Sequence, residues 1–590
     1  MRVTDACPYV VAGRQVAANL RRQEGERLVA QRFDDEDRDW PQRPWIMAAV
    51  GAVGGLIVHL LTDGHTGYDQ TFPVLKQAAT AFTVVATIAF LLTVELRRWT
   101  WAIGFALGWG AVIAMIGWFT AQYNRMPEIM EFPFLSGIVA VLIAAPLFQT
   151  ARDEGAWRFP YERLHRHAWT DAVIGAASLF FTGITFLLAW LIATLFDVIG
   201  IDAIKDLLQA EWFGWMLGGL AFGGAVGILR ERDALVATLQ KLVMVVLAVL
   251  APVLAVALAA FLLSLPFTGL GGLWDSDIPA TPMLLLSGAG AILLVNAVIG
   301  DGRDERSPNS WLQRSAMLLL VCILPLAILA ALSMGERINQ YGWTPERIWG
   351  VVAVGIAIAY GAAAWWAVFK GRADFDEPLR PTQTKLAIGL CGLALFLALP
   401  ILDFGAISAR SQLARLHSGK VTPEQFDWRA MAFDFGPEGR ERLKAIAQRG
   451  GPDERKLADE ALKADNRYDV KVVEQVKTEQ ELDRYLRKIP SDLQLPANLR
   501  IMIANANFCR ERPCVLVQAN PNSMVLAGRY HDNGPVEAIH YSLADGQWVT
   551  ARPVADAVAD INLATARVEI RTVERKQLYV DGKPVGENME

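Results

Sequence analysis

Few side chains in this sequence have the types and spacing that chemistry requires. Cys509 and Cys514 leave four residues between them, close enough for a disulfide stapling a short loop in an oxidising compartment. The C-x-x-C spacing of a redox-active pair is missing. His531, Asp532 and His540 offer metal ligands, but no third ligand follows at a convincing spacing, so they read as surface residues. Asp63, His65 and Asp69 crowd one short loop; Asp275 and Asp277, after Trp274, form another that reads as solvated. The sequence holds no Walker A lysine motif, nucleophile elbow, metalloprotease helix or dinucleotide-binding glycine pattern. No catalytic residue, cofactor or metal is therefore expected.

The elements around these residues are far more legible. The chain has 590 residues, of which 53% are hydrophobic and only 20% charged, with mean hydropathy +0.28. Those values exclude a disordered, collagenous or disulfide-framework protein, and a pI of 5.9 argues against a nucleic-acid partner. Crossing roughly 30 Å of hydrocarbon takes about 20 residues of helix. Eleven apolar runs approach that length: Trp45–Thr62, Gln77–Leu92, Thr100–Thr120, Phe132–Phe148, Asp171–Phe196, Trp212–Leu229, Leu242–Leu265, Pro282–Gly300, Ser315–Ser333, Ile348–Phe369 and Lys385–Leu402. The fold class is thus an α-helical polytopic membrane bundle followed by an α+β soluble C-terminal domain. Its divisions are a polar arm over 1–44, the bundle over 45–402, a helical neck and module over 403–495 and a strand-rich subdomain over 496–590.

Orientation follows from basic residues, which stay in cytoplasmic loops. With the N-terminus inside, the inner loops hold 16 Lys and Arg, among them Arg98, Arg152, Arg166, Arg230, Arg306 and Arg380, against 5 in the outer loops. An odd number of spans then exports everything after Leu402. No Asp, Glu, Lys, Arg or His sits at mid-depth in any span, which disfavours an ion-driven pump. Gly214, Gly218, Gly219, Gly223 and Gly227 form a small-residue stripe for close helix packing, with Gly51/Gly55 and Gly104/Gly108 as weaker echoes. Segments at Leu239–Pro252 and Leu312–Pro325 match at a displacement of 73, each with a proline inside a span, Pro252 and Pro325; their partners starting at Trp212 and Pro282 are expected to be equivalent.

The tail changes to soluble composition from Asp403. The last span is expected to run on as a helix through Ile407–His417, followed by helices over Glu424–Phe433, Pro437–Gln448, Pro452–Ala464 and Glu479–Lys488. Strands are expected at Leu499–Ala504, Cys514–Gln518, Val525–Tyr530, Val536–Leu543, Trp548–Arg552, Arg567–Val573 and Gln577–Val580, forming a small antiparallel sheet.

One stretch is more specific. Ile407-Ser408-Ala409-Arg410-Ser411-Gln412-Leu413-Ala414-Arg415-Leu416, then Ser418–Val421, Phe426-Asp427, Phe433–Gly436 and Gly439, resembles the juxtamembrane signature of a bacterial membrane family catalogued as domain of unknown function 4153. The resemblance covers most of residues 40–450. It implies a bacterial inner-membrane protein without assigned activity and carries over no catalytic residue. Arg410, Gln412 and Arg415 are read as a juxtamembrane neck joining bundle to tail. The expected function is a non-catalytic envelope scaffold or sensor, with the lipid bilayer and a periplasmic protein or envelope ligand as partners. A transporter or lipid flippase is the alternative, and a membrane glycosyltransferase, suggested by the acidic first loop, comes third.

Overall fold

A computed structural model describes residues 40–63, 73–96, 98–121, 127–271, 279–464, 467, 470, 482–506, 508–509, 512–529, 536–544, 547–551, 576–580 and 583–589. Each apolar run becomes a helix somewhat longer than its hydrophobic core. In chain order these are α1 Arg43–Thr62, α2 Val74–Thr93, α3 Trp99–Ala121, α4 Pro127–Glu154, α5 Tyr161–Val198, the short α6 Ala203–Gln209, α7 Glu211–Glu231, α8 Asp233–Thr268, α9 Ala280–Ile299, α10 Ser310–Tyr341, α11 Pro345–Gly371 and α12 Asp376–Ala398. Eleven of them, all but α6, are long and apolar enough to cross a membrane. The protein is a multi-pass membrane protein.

The chain divides into two compact units, Met1–His417 with Met431–Arg442, and Ser418–Ala430 with Leu443–Glu590. Within the first, α8 to α12 share one apolar core containing Ala251, Leu284, Leu319, Ile323 and Phe375. A second cluster joins α1, α2, α5, α7 and α8 through Met47, Leu91, Ile174, Val226 and Val236. The expected equivalence of two hairpins fails: α9 packs along α10, whereas α7 packs along α1 and barely touches α8.

The last span does not run on. Leu399 turns extended (ψ 148°) before Pro400, which cannot donate to a helix ladder, and a separate helix α13, Phe404–His417, begins four residues later. The helix expected over Glu424–Phe433 is likewise broken. A 3-10 turn at Pro423–Gln425 precedes α14, Trp428–Phe433, because the Asp427 carboxylate accepts the Ala430 N–H at 2.9 Å and restarts the helix there. Helices α15 Gly436–Arg449 and α16 Pro452–Lys463 follow as expected.

In the second unit a five-stranded sheet runs in sequence order: β1 Leu486–Ile489, β2 Cys514–Asn520, β3 Ser523–Gly528, β4 Glu537–Ala544 and β5 Gln547–Ala551. Two expectations are corrected here. Leu499–Ala504 is not a strand but part of helix α17, Ala497–Asn505, and the end of the expected helix Glu479–Lys488 is strand β1. The sheet is therefore mixed: β1 pairs parallel with β2, as a crossover through a helix requires, and the other pairs are antiparallel. Leu499 and Ile503 of α17 pack on Leu516, Leu526 and Tyr541 of the sheet. Strands β6 Lys576–Val580 and β7 Lys583–Met589 form a separate hairpin; the strand expected at Arg567–Val573 lies outside the described residues.

Candidate functional site

The last carbonyls of any helix lack intrahelical donors and need partners from elsewhere. In the membrane unit, three helix ends receive those partners from arginine and glutamine side chains far away in sequence, and these junctions hold the buried arginines Arg43, Arg152 and Arg380.

The first is the end of α2. Arg230 of α7 donates to the Leu92 carbonyl at 2.5 Å and to Leu91 at 3.2 Å; Arg152 of α4 donates to Thr93 at 2.7 Å, and Arg43 of α1 to Val94 at 3.4 Å. Gln149 Nε2 completes the set, donating to Leu92 at 2.9 Å and to Asp171 Oδ1 of α5 at 3.1 Å. Arg152 also pairs with Glu95 and Asp153, and Asp153 Oδ2 meets His167 Nε2 at 2.9 Å. Three guanidiniums at the negative end of a helix dipole, each with carboxylate or carbonyl partners, meet the condition under which buried charge is tolerated.

The second junction is the end of α9, where Gly300 adopts φ +60° and lets the chain turn sharply. Arg380 of α12 donates to Ile299 at 2.7 Å and Gly302 at 3.0 Å, and pairs with Asp376 at 2.8 Å. Asp376, wholly buried, also pairs with Arg306 at 2.8 Å, and Arg306 donates to Ala373 at 2.7 Å and Gln313 at 3.0 Å. Asp301 accepts from Arg166 of α5 at 3.3 Å.

The third lies at the opposite end of the bundle, where α10 closes on Gly342 at φ +77°. Gln412 of α13 donates to Tyr341 at 2.9 Å and Trp343 at 3.0 Å, and Arg415 to Gln340 at 2.7 Å and Asn339 at 3.4 Å. Arg347 adds a bond to Gly342 at 2.9 Å, and the Trp343 N–H donates to Ser411 Oγ at 3.3 Å. The positive φ favours glycine at 342, and a Cβ there would press on the ends of the Arg415 and Gln412 side chains and shift the clasp. Gln412 and Arg415 thus act together, whereas Arg410 is exposed on the other side of α13.

This neck segment carries the resemblance noted in the sequence. A family model described as Domain of unknown function (DUF4153) matches residues 78–441. The chain belongs to the DUF4153 family. No curated protein and no solved structure matches it. The match to DUF4153 takes in the α2 and α9 junctions, apart from Arg43, and the whole of the α10 junction.

The remaining singled-out residues of this DUF4153 protein fall as follows. Gly219, Gly223 and Gly227 press against the α1 backbone at Gly51, Met47 and Pro44, and Gly55 against Trp215; the pairing runs antiparallel. Gly218 meets only the Phe186 ring, and Gly214, Gly104 and Gly108 face open space. Pro325 lies within α10, and the carbonyl it leaves without a helical donor, Val321, accepts the Trp365 indole N–H at 2.9 Å; Pro252 lies within α8. Cys509 and Cys514 form a disulfide with their Cα atoms 5.2 Å apart. His540 meets Ser523 Oγ at 2.6 Å, while His65, Asp69, Asp275, Asp277, His531 and Asp532 lie outside the described residues. In the sequence Arg152, Arg230 and Arg380 stand out only as loop charge, and Asp376 and Trp365 not at all. The available signal was the preference for arginine over lysine at these span ends, since its fork can bridge two acceptors.

Proposed function

We propose that this DUF4153 protein is a non-catalytic membrane scaffold that holds its C-terminal domain on the side of the bilayer opposite the arginine-lined loops, the periplasmic side in a bacterial inner membrane. There the domain is available to an envelope protein or ligand. The observation that carries the reading is the α10 junction. Gln412 and Arg415 clasp the end of α10 that lies a full 32-residue helix away from the Arg306–Asp376–Arg380 junction. Some 48 Å of helix separates the two ends, more than the hydrocarbon thickness. The clasp fixes where the chain leaves the bundle, and the disulfide in the tail is the chemistry of an oxidising compartment. A second reading, a transporter or flippase, draws on Pro325: a span in which a proline removes one helix hydrogen bond, its carbonyl held instead by a neighbouring indole, is a place where a helix can flex.

A reporter fused after Glu590 tests the first reading. Activity of a periplasm-dependent reporter, with silence of a cytosol-dependent one, is expected; the reverse pattern removes the reading.

A further inference from the structure

The neck helix α13 does not stand out from the bundle. At its start the Phe404 ring meets Trp349, in the second turn of α11, with centroids 5.3 Å apart. At its other end Arg415 reaches Gln340, in the last turn of α10. Both ends of α13 therefore rest on ends of spans, the part of a membrane bundle that meets the lipid headgroups.

Its two faces differ. Gly405, Ser408, Ala409, Leu413 and Leu416 are buried. Ile407, Arg410, Ala414 and His417 are exposed at helical spacing and form the opposite stripe. The stripe continues the lipid-facing surface of the last span, because the connecting turn leaves Ile401 58% and Leu402 46% exposed, and Ile407 is 42% exposed. Arg410, on this exposed stripe, has no hydrogen-bond or ion-pair partner among the described residues, although Arg415 of the same helix donates to two carbonyls. Aliphatic side chains beside an unmatched guanidinium, at the end of a span, match the two layers they would meet: acyl chain and phosphate.

We propose that the exposed stripe of α13 is a lipid-binding surface, with Ile401, Leu402 and Ile407 dipping into the outer edge of the hydrocarbon and Arg410 holding the phosphate of a phospholipid headgroup. Arg410 then has a role distinct from Gln412 and Arg415: they fasten the neck to the bundle, and it fastens the neck to the membrane. The proposal needs only that the bundle spans a bilayer, so it stands or falls separately from the scaffold reading.

The test uses the full-length chain in vesicles of phosphatidylcholine and phosphatidylglycerol, with a nitroxide on Ile407→Cys and, separately, on Ala414→Cys, the unsubstituted chain giving the background. At position 407, collisions with oxygen should exceed those with a water-soluble nickel chelate. Arg410→Gln should raise nickel collisions there and lower the phosphatidylglycerol retained with the purified protein about fivefold, the factor one surface arginine contributes. Nickel-dominated collisions at both sites would place the stripe in water, and exclusion of both reagents would mean that protein covers it. Either result overturns the proposal.

Discussion

Alanine at Gly219 tests the reading of the α1–α7 contact most sharply. Its methyl would lie 2.7 Å from the carbonyl carbon of Gly51 and nearer still to the oxygen. Carbon atoms in contact rest about 3.5–4.0 Å apart, so the two helices must separate by roughly 1 Å. They cannot do so locally, because Gly223 presses on Met47 and Gly55 on Trp215 in the same register. The same displacement would pull Arg43 and Arg230 from carbonyls they reach at 2.5–3.4 Å. Overpacking of this kind costs about 1–3 kcal/mol, and each hydrogen bond from a charged group about 1.5–3 kcal/mol, so a loss of about 3 kcal/mol is expected. Gly214→Ala is the control: nothing lies within 4 Å of its added methyl, and helix propensity alone favours the change by about 1 kcal/mol. Thermal unfolding in detergent, followed by loss of the monodisperse chromatographic peak, should show Gly219→Ala melting well below the parent and Gly214→Ala at or above it. Equal melting of the two variants would refute the close-packing argument.

Other expectations follow from the junctions. Asp376→Asn leaves Arg306 and Arg380 without their shared buried carboxylate and should cost about 3–5 kcal/mol, read as a fall in the same melting temperature. Gln412→Ala combined with Arg415→Ala should free the neck and speed proteolysis between Leu399 and Ser418, with little change in melting of the bundle; unchanged cleavage would mean the clasp is not what holds α13. In the tail, the hydrogen bond from Arg500 holds the Asp483 carboxyl below the usual carboxylate range. A depressed carboxylate contributes stability above its unfolded pKa and loses it as pH falls through the folded value. Arg500→Ala should therefore lower the tail's stability slightly at neutral pH, the pair being largely exposed, and not at all once Asp483 is protonated, so the acid limb of its unfolding profile flattens.

The spans were legible because membrane insertion selects on local composition, which needs no knowledge of partners. Tertiary pairing was not legible. Leu499, Ile501 and Ile503 alternate like a strand, yet Leu499 and Ile503 also stand four apart, and packing on the sheet selected the helix. Leu486–Ile489 is built from helix-forming residues and became a strand by pairing with Cys514–Val517. The helix-end junctions stayed hidden for the same reason: Arg43 and the Arg230 carbonyl it reaches are 187 residues apart. The neck signature did mark the right segment, but its form was misjudged, because Pro400 ends the span that was expected to continue.

The claim on which the account rests is that the Arg306–Asp376–Arg380 junction and the tail lie on opposite sides of the bilayer. Asp304→Cys and Glu460→Cys, made singly in the full-length chain with Cys7→Ser, can be reacted with a membrane-impermeant thiol reagent in sealed vesicles of both orientations. The two positions should label in opposite vesicle populations, Asp304→Cys in inside-out ones and Glu460→Cys in right-side-out ones. Labelling of both in the same population would contradict the account.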